Sequence, residues 1–215
     1  MQESIATVFL IDDDQQIRDA LTWVLQSVGL RVESCGSPEQ ALAACHPEIP
    51  GCLVMDLQLP GMNGFELRKR LMTKGCFQPF LVMSGHGDVS SAVRAMRMGA
   101  IDFLEKPFSH QRLVDCVHRA IQCDTEVRRR QAEHESVHER LESLTPREGE
   151  VLELVADGTL SKRIATRLGI SPKTVEVHRS NIMRKMKVES VAQLVHLVTK
   201  NSLLADHRSL ESSAS

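Results

Sequence analysis

Five short apolar runs punctuate the first 123 residues, at Thr7 to Asp12, Arg31 to Cys35, Gly51 to Asp56, Phe80 to Gly85 and Phe103 to Lys106. Val, Ile, Leu and Phe dominate most of them with little polar alternation, as strands covered on both faces require. Helix signals fill the gaps. Asp14 can cap a helix over Gln15 to Val28, and Ser37-Pro38-Glu39-Gln40 is a capping box with proline at the first helical position. Asp88 and Ser109 can cap two more helices, and Gly99 can end the fourth. Five strand–helix repeats with short connections predict an α/β doubly wound five-stranded parallel sheet over residues 1 to 123.

The pattern then changes. From Asp124 to Ser143, ten of twenty residues are charged and glycine and proline are absent, which predicts a solvated helical linker continuing the preceding helix. Val127, Val137, Leu141 and Leu144 make too thin a stripe for a coiled coil. Residues 144 to 205 predict an all-α domain of four helices. Thr145-Pro146-Arg147-Glu148 is a capping box, and Gly158 lies where that helix should stop. Ser161 to Leu168 is a short helix closed by Gly169, with Ser161 suited to cap it. Ser171-Pro172 opens another reaching about Met186, and Ser190-Val191-Ala192-Gln193 opens the last. Two helices joined through Gly169-Ile170-Ser171 read as helix-turn-helix. Residues 206 to 215 read as a disordered tail.

Charge sharpens this division. Residues 1 to 123 carry 11 Lys+Arg against 14 Asp+Glu, whereas residues 144 to 215 carry 11 against 8. In residues 161 to 187, Lys162, Arg163, Arg167, Lys173, Arg179, Arg184, Lys185 and Lys187 face only Glu176. The basic half therefore suits an anionic polymer. No run approaches the roughly 18 apolar residues of a membrane span, and Met1-Gln2-Glu3-Ser4 lacks the basic region of a signal peptide, so a cytoplasmic protein is expected. The six cysteines show no C-x-x-C pair and no zinc-finger spacing, which suits reduced thiols used as small apolar residues.

Candidate chemistry gathers at strand ends. Parallel strands would bring Asp12, Asp13, Asp56, Ser84 and Lys106 to one edge of the sheet, where open α/β folds bind ligands. Asp56 is the candidate nucleophile for phosphoryl transfer. Asp13 and Asp56 as direct ligands, Asp12 through water and the main-chain carbonyl of Gln58 would suit Mg2+. Lys106 is a compact charge able to meet a phosphoryl oxygen, and Pro107 permits a cis bond that aims it. Aspartates also cap helices and lysines also decorate surfaces. The convergence of three separate strand ends favours a site.

These residues resemble those of a known family. Residues 5 to 122 resemble the receiver domain of bacterial two-component response regulators through Ile11-Asp12-Asp13, Asp56 followed by Leu59-Pro60-Gly61-Met62-Asn63-Gly64, Ser84-Gly85-His86-Gly87-Asp88 and Lys106-Pro107-Phe108. Residues 144 to 200 resemble the LuxR-type helix-turn-helix through Leu144-Thr145-Pro146-Arg147-Glu148, Ile164-Ala165, Leu168 and Thr174-Val175-Glu176-Val177-His178. The pairing resembles the NarL/FixJ family, in its FixJ branch. The resemblance implies a flavodoxin-like receiver in which Asp56 accepts phosphate from a sensor histidine kinase. It further implies that Ser84 and Phe103 act as a switch pair, and that the phosphorylated protein forms a homodimer on double-stranded DNA.

Along Pro172 to Met186, 100° per residue puts Val175, Ile182 and Met186 on one face and Lys173, Val177, Ser180, Asn181 and Arg184 on the other. Lys162, Lys173, Thr174, Glu176, Val177, His178, Ser180, Asn181, Arg184 and Lys185 are the candidate DNA-contacting residues. Lys173, His178 and Lys185 suit phosphates, and Val177 suits a thymine methyl. The expected function is a phosphorylation-activated transcription regulator, not an enzyme beyond self-catalysed phosphoryl transfer and hydrolysis at Asp56. The competing readings are a degenerate receiver that binds DNA without phosphorylation, and an output that binds RNA or protein.

Overall fold

The computed structural model describes residues 6–85 and 89–200. Five parallel strands form one sheet: β1 (Thr7–Ile11), β2 (Arg31–Cys35), β3 (Gly51–Asp56), β4 (Phe80–Ser84) and β5 (Asp102–Glu105), in the order β2-β1-β3-β4-β5. The doubly wound parallel sheet is thus as expected, although the first strand ends at Ile11 and the last begins at Asp102. The side-chain period of two divides the apolar runs between two cores. Phe9, Ile11, Leu53, Met55, Phe80 and Val82 face one; Val8, Leu10, Cys52, Val54, Leu81 and Met83 face the other. Burial on both faces explains the near-continuous hydrophobicity of the central strands. The edge strand β2 instead exposes Arg31, Glu33 and Ser34.

The helices of this first unit are α1 (Gln15–Ser27), α2 (Pro38–Ala44), α3 (Gly64–Thr73), α4 (Val89–Arg97) and the first part of α5 (His110–Glu142). Asp14 accepts hydrogen bonds from the N–H groups of Gln16 and Ile17, as a cap should. Ser37 accepts from Gln40, but the Gln40 amide oxygen accepts from Gly36 rather than closing the expected box. The cap of α3 is Asn63, which bonds the N–H of Glu66. Ser109 bonds the N–H of Arg112 at the start of α5. The expected Asp88 cap and the tail at 206–215 lie outside the described residues.

Gly51 opens β3 at φ +146°, and a Cβ there would stand 1.8 Å from the Thr7 carbonyl oxygen, so no other residue fits. Its N–H donates to Asp124. Arg128 donates to the same carboxylate and to the carbonyls of Pro47 and Ile49. The early linker is thereby tied to the base of the sheet. Cys35, Cys45, Cys52, Cys76 and Cys116 are buried and only Cys123, on α5, is exposed. Burial pushes the Cys35 thiol up to about 11, and the Cys45 and Cys52 thiols up to about 12.

The chain divides into two compact units between Arg128 and Arg129, inside α5. The second unit holds α6 (Pro146–Ala156), α7 (Ser161–Leu168), α8 (Pro172–Met186) and α9 (Val191–Lys200). Its core takes Val151, Leu152, Ile164, Val175, Ile182, Met186, Leu194 and Val198. It also takes Val137 and Leu141 of α5, whereas Val127 is exposed. All of the thin stripe except Val127 therefore belongs to the core of the second unit. Among the described residues, no helix is long and apolar enough to cross a membrane.

Candidate functional site

The register of β1 on β3 pairs Ile11 with Met55, so Asp12 and Asp56 emerge side by side at the carboxyl end of the sheet. This is the point where the strand order reverses, the crevice in which such folds hold ligands. Asp12 is 1% exposed and Asp56 7% exposed. From β5, the Lys106 ammonium bonds Asp12 at 2.7 Å and Asp56 at 2.5 Å. Burial alone would pull the lysine pKa down, but its hydrogen bonds to Asp12 and Asp56 and their charges outweigh this and hold it above its ordinary value. The Lys106-Pro107 peptide is cis.

The two carboxylates are otherwise fixed by main-chain donors. Asp56 Oδ1 accepts the N–H of Gln58 at 2.8 Å, and Asp12 Oδ1 accepts that of Asp14 at 3.0 Å. Asp13 is exposed at the rim. Ser84 is buried at the end of β4, and its carbonyl accepts the N–H of Lys106. Phe103 is half-buried against the core of Phe9 and Val82. One ammonium facing Asp12 and Asp56, with Asp13 beside them, leaves an excess of negative charge in hard oxygen donors, a set that fits Mg2+. Among the described residues, no three His, Cys, Asp or Glu side chains stand as a ligand cluster.

In the second unit, Ser171 caps α8 through the N–H of Thr174, and Pro172 takes the first helical position. Val175, Ile182 and Met186 are fully buried, as their spacing predicts. Lys173, Thr174, Glu176, Val177, Ser180 and Arg184 are exposed, and His178 and Asn181 are half-buried. Lys162 is exposed on α7, as are Arg163 and Arg167.

Lys185 and Ser161 hold partners that the sequence did not indicate. Lys185 does not stand unpaired on the surface: its ammonium bonds the buried Glu148 carboxylate and the Ser143 carbonyl, both at 2.7 Å. Burial alone would raise Glu148, yet hydrogen bonds from Lys185 and Thr145 hold its carboxyl below the ordinary value. Nor does Ser161 cap α7. The cap position is Leu160, which has no side-chain oxygen and is 71% exposed, and the Ser161 hydroxyl accepts from Arg179 instead, at 2.7 Å. By contrast, the Thr145–Glu148 capping box is complete.

Sequence reasoning overlooked Arg18 and counted Arg179 only among the basic residues of 161 to 187, not as a partner of Ser161. Arg18 stands in helical register with Leu21 and Leu25, a position on the buried face of α1 that marks a cation turned inward. Arg179 carried no such mark.

Residues 8–118 match the model described as "Response regulator receiver domain", and residues 142–198 match "Bacterial regulatory proteins, luxR family". The chain is 43% identical to the transcriptional regulatory protein FixJ of Azorhizobium caulinodans, over 92% of this chain and 93% of that protein. It is 38% identical to nodulation protein W of Bradyrhizobium diazoefficiens, over 94% and 89%. Among solved structures, the response regulator StyR superposes with a TM-score of 0.84 at 42% identity, covering 91% of this chain and 99% of that one. Full-length FixJ from B. japonicum gives 0.55 at 38% identity, over 92% and 98%.

Proposed function

This chain belongs to the response regulators that join a receiver domain to a LuxR-type DNA-binding domain, a family of transcription regulators rather than classical enzymes, and from that premise we propose how its own residues carry the signal. It is a phosphorylation-dependent DNA-binding regulator of a two-component system, FixJ-like over most of its length. A receiver implies a histidine kinase as donor, and the LuxR-type domain implies DNA as target. The observation that carries the reading is the Lys106 ammonium shared by Asp12 and Asp56.

Asp56 attacks the phosphorus of a phosphohistidine in line with the departing imidazole nitrogen. The P–N bond breaks as the acyl phosphate forms on Asp56. Asp12, Asp13, Asp56 and the Gln58 carbonyl are the groups that would hold Mg2+, which when bound offsets charge on the phosphoryl oxygens. Lys106, held protonated by its carboxylate neighbours, meets a phosphoryl oxygen from the other side. The Ser84 hydroxyl turns to bond another oxygen, and Phe103 moves into the space this opens. Water later attacks the acyl phosphate, releasing inorganic phosphate and restoring Asp56.

Phosphorylation then favours a dimer, because one helix-turn-helix reads too few base pairs for tight specific binding and a second doubles the contacts. Lys162, Lys173, His178 and Arg184 meet phosphates. Thr174, Glu176, Val177, Ser180 and Asn181 lie along the face that reads base edges. The test compares wild type with Asp56→Asn in Mg2+ and acetyl phosphate, following acid-labile phosphate, mass in solution and DNA binding together. Wild type should take up one phosphate, dimerise and bind more tightly, and the variant should do none of these. Undiminished labelling of Asp56→Asn would refute the reading.

A further inference from the structure

Arg18 is only 9% exposed, and burying a guanidinium is costly unless its donors are satisfied. Its bonded partners here are neutral. Nη1 donates to the main-chain carbonyl of Asp12 at 2.7 Å, and Nη2 donates to the Gln15 amide oxygen. Space for the group is built in by Gly36: a Cβ there would stand 3.1 Å from Arg18 Cζ and from Nη2, and 3.2 Å from Nη1. A cation has been placed under the acidic turn with room reserved for it from the opposite side.

Its effect on that turn follows from what else holds Asp12. The N–H of Asp12 donates to the Cys35 carbonyl at 3.3 Å. Oδ1 accepts from Asp14, and Oδ2 from Lys106. The carbonyl, gripped by Arg18, completes the set. Fixing the plane of the Asp12–Asp13 peptide fixes where the backbone of Asp13 begins, and so orients both acids relative to Asp56. A lysine would keep the charge, but a single nitrogen cannot span the carbonyl and the Gln15 amide as a planar fork does.

We infer that Arg18 is a positioning residue for the phosphoacceptor site: acting through the Asp12 main chain, it sets the geometry of the acidic turn and with it the affinity for Mg2+. This rests on the reading of Asp56 and its neighbours given above. Partners that orient metal ligands from behind change metal affinity by about 10- to 100-fold when removed. A merely structural arginine would move stability and leave that affinity alone.

The experiment titrates Mg2+ into the unphosphorylated full-length protein by calorimetry, for wild type, Arg18→Lys and Gly36→Ala, alongside urea unfolding. Gly36→Ala crowds the guanidinium while leaving every residue of α1 unchanged, and so serves if Arg18→Lys fails to fold. Both variants should bind Mg2+ about tenfold more weakly. In acetyl phosphate, the Mg2+ concentration for half-maximal phosphorylation should rise by a similar factor, with the rate at saturating Mg2+ falling far less. Folded variants that bind Mg2+ within twofold of wild type, or more tightly, would overturn the inference. A wild type that neither binds Mg2+ nor takes up phosphate would instead overturn the reading of Asp56.

Discussion

The acidic pocket at the carboxyl end of the sheet and the outer face of α8 are built on opposite plans. In the pocket, Asp12 and Asp56 are drawn inward and share the Lys106 ammonium. On α8, Lys173, Thr174, Val177, Ser180 and Arg184 stand exposed on a helix whose other face is fully buried. A site that performs chemistry needs groups held in place against their own repulsion, and internal bonds supply that. A surface that reads a polymer needs side chains free to meet it, so its precision comes from the rigid helix beneath.

Lys185 gives the sharpest test of this contrast, because by position it belongs to the basic surface and by bonding to the interior. Lys185→Ala should destabilise the second unit by roughly 2 kcal/mol, since it strands the buried Glu148 carboxylate, the lysine itself being partly exposed. Urea unfolding should show that loss while the salt dependence of DNA binding stays unchanged. A lower salt slope with unaltered stability would return Lys185 to the reading surface.

The outer face should divide by chemistry. Lys173→Ala should weaken binding to all sequences and lower the salt slope by about one. Val177→Ala and Ser180→Ala should alter preference at particular base pairs by roughly 1 to 3 kcal/mol with the slope intact. Salt titrations on operator and scrambled DNA separate the two outcomes, and variants at Val177 and Ser180 that bind both DNAs as wild type does would show that α8 is not the reader.

Leu160 offers a gain instead of a loss. Leu160→Ser should supply the side-chain cap that α7 lacks and add about 1 kcal/mol of stability, seen as a higher urea midpoint at constant slope. No rise would mean that α7 is already satisfied by water at its first turn.

The smallest effect lies in pH. The raised Lys106 pKa contributes stability below the ordinary value of 10.5, lost as pH climbs through the raised value above it. The lowered Glu148 pKa contributes above 4.5, lost as pH falls through the lowered value beneath it. Residue-resolved hydrogen exchange should therefore show the first unit softening at the alkaline end and the second at the acid end. Lys106→Met should abolish the first response and Glu148→Gln the second.

What could be read from the chain alone follows the range of the forces involved. The continuous apolar runs of the central strands, the helical period of α8 and the Thr145 capping box are local patterns, and each element formed where its pattern lies. The strand ends placed Asp12, Asp56 and Lys106 together because a parallel sheet aligns its carboxyl termini. Contacts between remote side chains left no such trace. Serine at 161 fits a cap as well as it fits an acceptor for Arg179, and Lys185 looks like any surface lysine until Glu148, 37 residues away, is placed beneath it. Arg18 lay between these cases: its register marked it as inward, but only the fold supplied the Asp12 carbonyl.

The distribution of thiols makes this protein convenient for spectroscopy. Five cysteines are shielded, and Cys123 alone meets solvent. A maleimide dye or nitroxide used in slight excess should modify Cys123 in the native protein without any substitution, while full denaturation should release all six sulfurs. The label would sit on α5 between the buried Ala120 and the anchored Asp124, where its mobility and fluorescence would follow that stretch of helix as phosphate is added and lost.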